Sequence, residues 1–212
     1  MKFTPTRLVR PVLLCASLMV AARAADAPDT DPAPELVATS NAVIDMVAGK
    51  TPDQVTAEVN EIRDKLSTDV AIPAVVRRCF GRNWSKLTAD QQSQAVDLLG
   101  RLIIRTYATE LANGGRPKIT IASSRVIGPD RREVVAAVEQ NGKNISVIYR
   151  LAPIDGKWKV YDVLAENISL VGNYREQFDA HFEHKNAEDL LKILRSKLNA
   201  PVVEAPPAAT KS

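Results

Sequence analysis

The feature that most constrains this chain is a change of hydrophobic period within residues 157–178, KWKVYDVLAENISLVGNYREQF. Trp158 and Val160 alternate with more polar neighbours, which is the period of a β-strand. From Ser169 onward the apolar residues fall four apart, which is helix spacing. The pattern predicts a strand that feeds directly into a helix. Asn167 lies at the joint, and Asn tolerates the left-handed backbone that a sharp change of direction needs.

Three further strands precede this one, and tight turns join them. The turn signals are residues 128–130, 141–142 and 155–156, each of which contains glycine. Between the turns apolar and polar residues alternate, which predicts an antiparallel meander with one apolar face. The apolar set on that face is Val134, Ala136, Val138, Ile145, Val147, Tyr149, Trp158 and Val160.

Helical patterns flank the strands on both sides in the sequence. The clearest is a long helix that begins with a capping box of Thr88 and Gln91 and ends at Asn113-Gly114-Gly115. Together with the strands, these patterns predict an α+β fold in which about six helices cover a four-stranded antiparallel sheet. The predicted helices span about 36–47, 51–66, 70–80, 88–113, 169–183 and 190–198.

Residues 1–24 have the pattern of a secretory signal peptide that is cut after Ala24. Basic residues precede an apolar run, 12–22, that is shorter than the roughly 20 residues a membrane span needs. Removing the four basic residues of this segment leaves 24 basic against 25 acidic residues, so nothing argues for binding to nucleic acid. Only Cys79 remains after cleavage, so an internal disulfide is not expected.

The mature chain is predicted to be one domain with polar, low-complexity ends. Residues 25–34 are rich in Ala, Asp and Pro and predict a flexible lead-in. Residues 35–200 form the domain, and the Pro- and Ala-rich segment 201–212 predicts a disordered tail. Whether the helices pack completely against the sheet or leave an apolar cavity is not decided by these patterns.

Asp162 is the most unusual polar residue, because simple alternation places it on the apolar side with Trp158. One interpretation is a general base in a pocket, as in sheets of the ketosteroid-isomerase type. The other is a structural carboxylate that pairs with Arg150 or Arg175, or that caps backbone amides where the strand meets the helix. We favour the structural interpretation, because no second polar group has a clear place beside Asp162.

Other reactive or charged residues have both a functional and a plain interpretation. His181 and His184 could hold a metal ion, but two ligands are a weak signal and a solvated helix face is favoured. Cys79 has apolar neighbours and is interpreted as a small core residue. The basic pairs 77–78 and 131–132 could meet lipid phosphates or acidic partners, although exposed basic pairs are usually only solvated.

With these residues in view, the chain resembles the periplasmic phospholipid-binding proteins of the toluene-tolerance/MlaC family over about residues 36–198. This sequence has Asn167 where the family usually has glycine, a change that left-handed backbone tolerates. The matching positions are Tyr149-Arg150-Leu151, residues 158–163, Ser169-Leu170-Val171, Asn173-Tyr174-Arg175 and Phe178, with Gly81, Trp84, Leu87 and Gln91 upstream.

The resemblance implies a non-enzymatic periplasmic carrier whose cone-shaped, NTF2-like sheet and helices enclose an apolar cavity for acyl tails. Its cargo would be a phospholipid, with no other cofactor. Its partners would be an inner-membrane ABC transporter with an MCE-domain subunit and an outer-membrane lipoprotein–porin complex. On this basis the eight apolar strand residues are expected to line the sheet side of the cavity, with Ile103 and Tyr107 of the long helix on the facing wall.

Three classes of function stay open from the sequence. The first is the lipid carrier, whose cargo could also be another lipid such as a hopanoid. The second is a small NTF2-like enzyme that uses Asp162 as its base. The third is an interaction domain with a fully packed core, since a buried apolar residue most often serves packing alone.

Overall fold

The computed structural model describes residues 28–201. The predicted signal peptide and residues 202–212 of the predicted tail lie outside this range. Within it the helices are Ala33–Val47 (α1), Pro52–Ala57 (α2), Val59–Leu66 (α3), Ile72–Phe80 (α4), Ala89–Asn113 (α5), Leu170–His184 (α6) and Ala187–Asn199 (α7), with a 3-10 turn at Gly81–Lys86. The strands are Lys118–Gly128 (β1), Arg131–Gln140 (β2), Lys143–Ile154 (β3), Lys157–Ala165 (β4) and Ile168–Ser169 (β5).

The five strands form one antiparallel sheet in the order β1-β2-β3-β4-β5, so the predicted α+β class is confirmed. Asn141 and Asp155 have φ values of 51° and 53° in the turns that join β2 to β3 and β3 to β4. The short strand β5 was not predicted. It forms because Glu166 and Asn167, with φ values of 48° and 65°, fold the chain back so that Ile168 pairs with Ala165.

The long helix α5 begins as predicted, since the Thr88 hydroxyl accepts from the Gln91 amide and the Gln91 side chain accepts from the Thr88 amide. The single predicted helix over 51–66 is wrong in one respect. It is broken at Glu58, whose φ of −98° and ψ of 6° separate α2 from α3. The Glu58 carboxylate pairs with Lys50 at this break. The described residues therefore contain seven α-helices rather than about six.

Residues 25–27 of the predicted lead-in lie outside the described range, and residues 28–33 contact the sheet at several points. The Pro28 carbonyl accepts a hydrogen bond from the Trp158 indole at 2.8 Å. Asp31 accepts from the Ser124 hydroxyl at 2.6 Å and from Arg132 at 2.9 Å. Contacts between the chain and the sheet therefore begin before residue 35, and Ala33 is already buried.

The buried apolar residues form two separate clusters. The helical cluster is built by all seven helices and is centred on Val76, Phe80 and Leu99. The sheet cluster joins the start of α1 to the sheet and consists of Ala33, Leu36, Val134, Leu151, Trp158 and Val160. Val70 packs against both clusters and pairs with Val160, so it joins the helical bundle to the sheet at this point.

Candidate functional site

Cross-strand pairing places the eight predicted strand residues on one face of the sheet. Direct partners in an antiparallel pair share a face. The β2–β3 register pairs Val134 with Tyr149 and Val138 with Ile145. The β3–β4 register pairs Leu151 with Val160. The predicted shared face is therefore confirmed, whereas the role of these residues in binding stays a prediction.

The two ends of this face are packed very differently. At one end, which we call the covered end, Val134, Leu151, Trp158 and Val160 are buried beneath Ala33 and Leu36. At the other end, which we call the open half, Val138, Ile145 and Val147 are only half-buried. These three belong to neither hydrophobic cluster. Apolar side chains of the same type thus pass from packed core to an accessible surface along one sheet face.

Tyr149 lies between the two ends and is tied to α1. Its pKa is raised, chiefly because burial disfavours the charged phenolate, and a hydrogen bond with Ser40 of α1 opposes that rise. Tyr149 is half-buried and packs partly against the sheet cluster. Tyr149 therefore links β3 to α1 at the boundary between the covered end and the open half.

The two residues predicted for the facing wall lie on α5, with the helical bundle. Ile103 packs partly against the helical cluster. Tyr107 is 51% exposed, yet the surrounding protein raises its pKa by removing water from the phenolate. Burial, and after it the charge of Tyr107, raise the pKa of Tyr174 of α6 to about 12. The structure therefore groups Ile103 and Tyr107 with the helices and not with the sheet cluster.

The predicted lining set left out Leu151 and Val163, which lie on the same sheet face. Leu151 carried a signal, because it continues the alternation of Val147 and Tyr149. Val163 pairs with Tyr149 and packs partly against the sheet cluster. No sequence signal marked it, because one extra residue at the β4 bulge, between Val160 and Asp162, reverses the alternation.

The same bulge shows that the predicted placement of Asp162 was wrong. Asp162 pairs with Arg150, which lies on the opposite face from Tyr149 and Leu151. Its carboxylate accepts from the Ser169 hydroxyl at 2.7 Å and from the Val171 amide at 3.1 Å, and lies 3.6 Å from an Arg150 guanidinium nitrogen. The structural interpretation is confirmed: Asp162 caps the first turn of α6 and pairs with Arg150.

The structure also shows the surroundings of Cys79 and His181, two of the other residues considered from the sequence. Cys79 is buried in the helical cluster, and loss of hydration raises its pKa to about 12, which confirms its interpretation as a core residue. His181 lies 3.0 Å from the Asn186 carbonyl. Residues 28–201 contain no group of three potential metal ligands. Over the same range, no helix has the length and the apolar content that a membrane crossing requires.

An antiparallel sheet with a half-covered apolar face beside a helical bundle defines a class of small α+β proteins that can hold an apolar ligand. A sequence profile of the family described as MlaC protein matches residues 37–196. The chain therefore belongs to the MlaC family.

Two relatives illustrate the likeness. The chain is 22% identical over 147 residues to the intermembrane phospholipid transport system binding protein MlaC of Haemophilus influenzae, an alignment that covers 67% of this chain and 69% of that protein. The fold matches the phospholipid-binding protein of Ralstonia solanacearum, which was solved in complex with a phospholipid. That match has a TM-score of 0.69 and 26% identity, and covers 80% of this chain and 97% of the other.

Proposed function

We propose that this protein binds a phospholipid with its acyl tails against the open half of the sheet, facing Ile103 and Tyr107 of α5. The observation that carries the proposal is the half-burial of Val138, Ile145 and Val147 on a face whose other end is packed core. The bound phospholipid in the Ralstonia solanacearum relative supports it. The lining residues, including Ala136 and Tyr149, are part of this proposal.

The physical need for such a carrier follows from the cost of exposing acyl tails to water. Two tails hold about thirty methylenes, and each costs roughly 0.8 kcal/mol to expose, so the total is on the order of 20 kcal/mol. A lipid crosses an aqueous gap very slowly against such a cost. The carrier needs an apolar surface and a way to release the tails, but it needs no chemical step.

We place this carriage in the periplasm, between an outer-membrane lipoprotein–porin complex and an inner-membrane ABC transporter with an MCE-domain subunit. The signal-peptide pattern of residues 1–24 supports export. The name of the Haemophilus influenzae relative, a binding protein of an intermembrane phospholipid transport system, supports the two-membrane context. The mature chain is nearly neutral, which suits repeated release from charged membrane surfaces.

The first experiment is native mass spectrometry of residues 25–212, purified from a bacterial periplasm without detergent and then extracted with organic solvent. The expected result is a mass increment that matches a phospholipid and moves to the organic phase. A hopanoid in the extract would support a carrier function with a different lipid as cargo. A bare protein mass, together with no uptake from liposomes, would contradict the proposal.

A matched pair of substitutions tests the location of the tails. Val147→Trp places a large ring in the open half and is expected to reduce bound phospholipid at least about fivefold, because it fills the volume the tails need. Ile148→Trp is the control, since Ile148 is the next residue, is also half-buried and faces the other side of β3. Unchanged lipid content in Val147→Trp with a normal melting curve would refute the assignment.

The enzyme alternative loses its proposed base in this structure. The Asp162 carboxylate accepts from the Val171 amide through Oδ1 and from the Ser169 hydroxyl through Oδ2, and Arg150 lies beside Oδ2. A carboxylate held this way stabilises the start of α6 and is on the wrong face to meet a ligand beside Trp158 or Val160. No observation in the described residues favours a second function over the carrier.

A further inference from the structure

We propose that this protein has a second binding site, for a small organic phosphate, in a pocket between α2, α5 and α7. The pocket has a volume of about 510 Å³ and is lined by three arginines, Arg101, Arg105 and Arg195. We call it the arginine pocket. Its other walls include Asp53, Val59 and Leu98. It shares no lining residue with the proposed lipid site.

Arg105 is the strongest sign that the pocket is built for an anion. It is only 5% exposed, and its guanidinium donates to the carbonyls of Lys197 at 2.6 Å, Leu198 at 2.5 Å and Ala200 at 3.1 Å. Among the described residues no carboxylate pairs with it, and its Nε atom is buried without a hydrogen-bond partner. The three carbonyls, at the C-terminal end of α7, carry only partial negative charge, so an anion in the pocket would stabilise the full charge of this guanidinium further.

Arg101 adds a second positive charge that is incompletely neutralised. Its guanidinium lies 3.7 Å from Asp97, but that carboxylate also accepts from Arg63 at 3.0 Å. The Nε atom of Arg101 is buried and lacks a partner among the described residues. Burial is the main cause that lowers the pKa of Arg105, and the nearby charge of Arg101 lowers it further.

The third arginine and the remaining walls indicate the kind of anion. Arg195 pairs with Glu188 at 3.4 Å and bonds to Gln94, and its side chain is 40% exposed at the pocket. Guanidinium groups bind phosphate oxygens through two parallel hydrogen bonds, which makes phosphate the best-matched oxyanion. The volume exceeds that of inorganic phosphate alone. Asp53 can accept from hydroxyl groups of the organic part, while Val59 and Leu98 contact its carbon atoms.

The arginine pocket lies on the opposite side of α5 from the proposed lipid site. At about 100° per residue, Leu98, Arg101 and Arg105 are centred roughly 180° from Ile103 and Tyr107 around the helix. A phosphate in this pocket is therefore not the headgroup of the lipid whose tails lie on the sheet. The ligand is either a free organic phosphate or the headgroup of a second lipid, and both present the same chemistry.

The test follows the arginine side-chain Nε–Hε signals of the full mature chain by nuclear magnetic resonance during titration at constant ionic strength. The probes are glycerol 3-phosphate, a monoester, and glycerophosphoglycerol, a diester headgroup without tails. We expect saturable shifts of Arg101 and Arg105 with a Kd of about 1 mM. Tighter binding of the monoester would identify a free phosphate ester, and tighter binding of the diester would identify a lipid headgroup.

Matched variants distinguish specific binding in the arginine pocket from nonspecific binding to surface charges. Arg195→Gln is expected to weaken binding about tenfold, because one charge-assisted hydrogen-bond donor is lost. Arg77→Gln, on the exposed side of α4, is expected to change the affinity less than about twofold. If Arg195→Gln alters the melting curve, Arg101→Gln serves in its place. The absence of saturable shifts up to about 20 mM in folded protein, or an equal loss in Arg77→Gln, would overturn the proposal.

Discussion

The covered end and the open half of the sheet are made of the same kinds of residue and differ in what lies over them. Val134 is fully buried beneath the start of α1, whereas Val147, its neighbour across one cross-strand diagonal, is half-buried and in neither cluster. Residue type alone therefore does not separate core from binding surface here. The separation comes from where the helices pack, which is decided by contacts distant in sequence.

The largest expected difference between the two regions is in stability. Leu151→Ala removes a fully buried side chain from the covered end and should lower the free energy of unfolding by about 3 kcal/mol, because it leaves a cavity. Urea denaturation measures this loss. A loss below about 1 kcal/mol would show that the covered end is as loosely packed as the open half.

Two valines of β2 allow the covered end and the open half to be compared with the residue type held constant. Val134→Ala should cost about 2 kcal/mol, whereas Val138→Ala, on the same face of the same strand, should cost less than about 1 kcal/mol in lipid-free protein. When the protein is saturated with phospholipid, we expect the cost of Val138→Ala to rise, because the tails then contact that side chain. Equal losses in the free energy of unfolding for the two lipid-free variants would show that the covered end and the open half are packed equally tightly.

The smallest expected effect is a pH dependence at the covered end. Hydrogen bonds from the Ser124 hydroxyl and the Ala33 amide, with the charge of Arg132, lower the pKa of Asp31 below its ordinary value. A lowered carboxyl pKa stabilises the fold above pH of about 4 and ceases to do so as the pH falls through the folded value. The protection of the amides at the start of α1 against hydrogen exchange, taken relative to the intrinsic exchange rate at each pH, should therefore fall in acid.

Asp31→Asn provides the control for this pH effect. The variant should show lower protection at neutral pH and little further loss of protection at low pH, because the ionisable group is gone. An acid response of the same size in the variant would assign the effect to another group.

The sequence predicted the strand faces well because alternation is a local property. The eight apolar residues share one face. The turns at Asn141 and Asp155, where the backbone is left-handed, lie at the Asn-Gly and Asp-Gly pairs that predicted them. The capping box at Thr88 was equally local. Each of these features depends on residues within a few positions of one another.

The features that escaped prediction depend on distant contacts. Arg105 occurs in the middle of a long helix, and its partners are backbone carbonyls 92 to 95 residues away, which leave no side-chain pattern. Residues 28–34 have the composition of a linker, but Asp31 and Pro28 bond to the sheet. The position of Asp162 was mispredicted because a bulge cannot be seen in an alternating pattern.

That bulge has a consequence in genetic terms. Val160 and Asp162 lie on opposite faces of β4 although they are two residues apart, because Tyr161 is the extra residue between them. An in-frame deletion of the Tyr161 codon would make the two residues neighbours and leave both on their present faces. A deletion elsewhere in β4 that kept the bulge would turn the residues on one side of it to the other face. The strand can thus change length by one residue at this position while its apolar face is conserved.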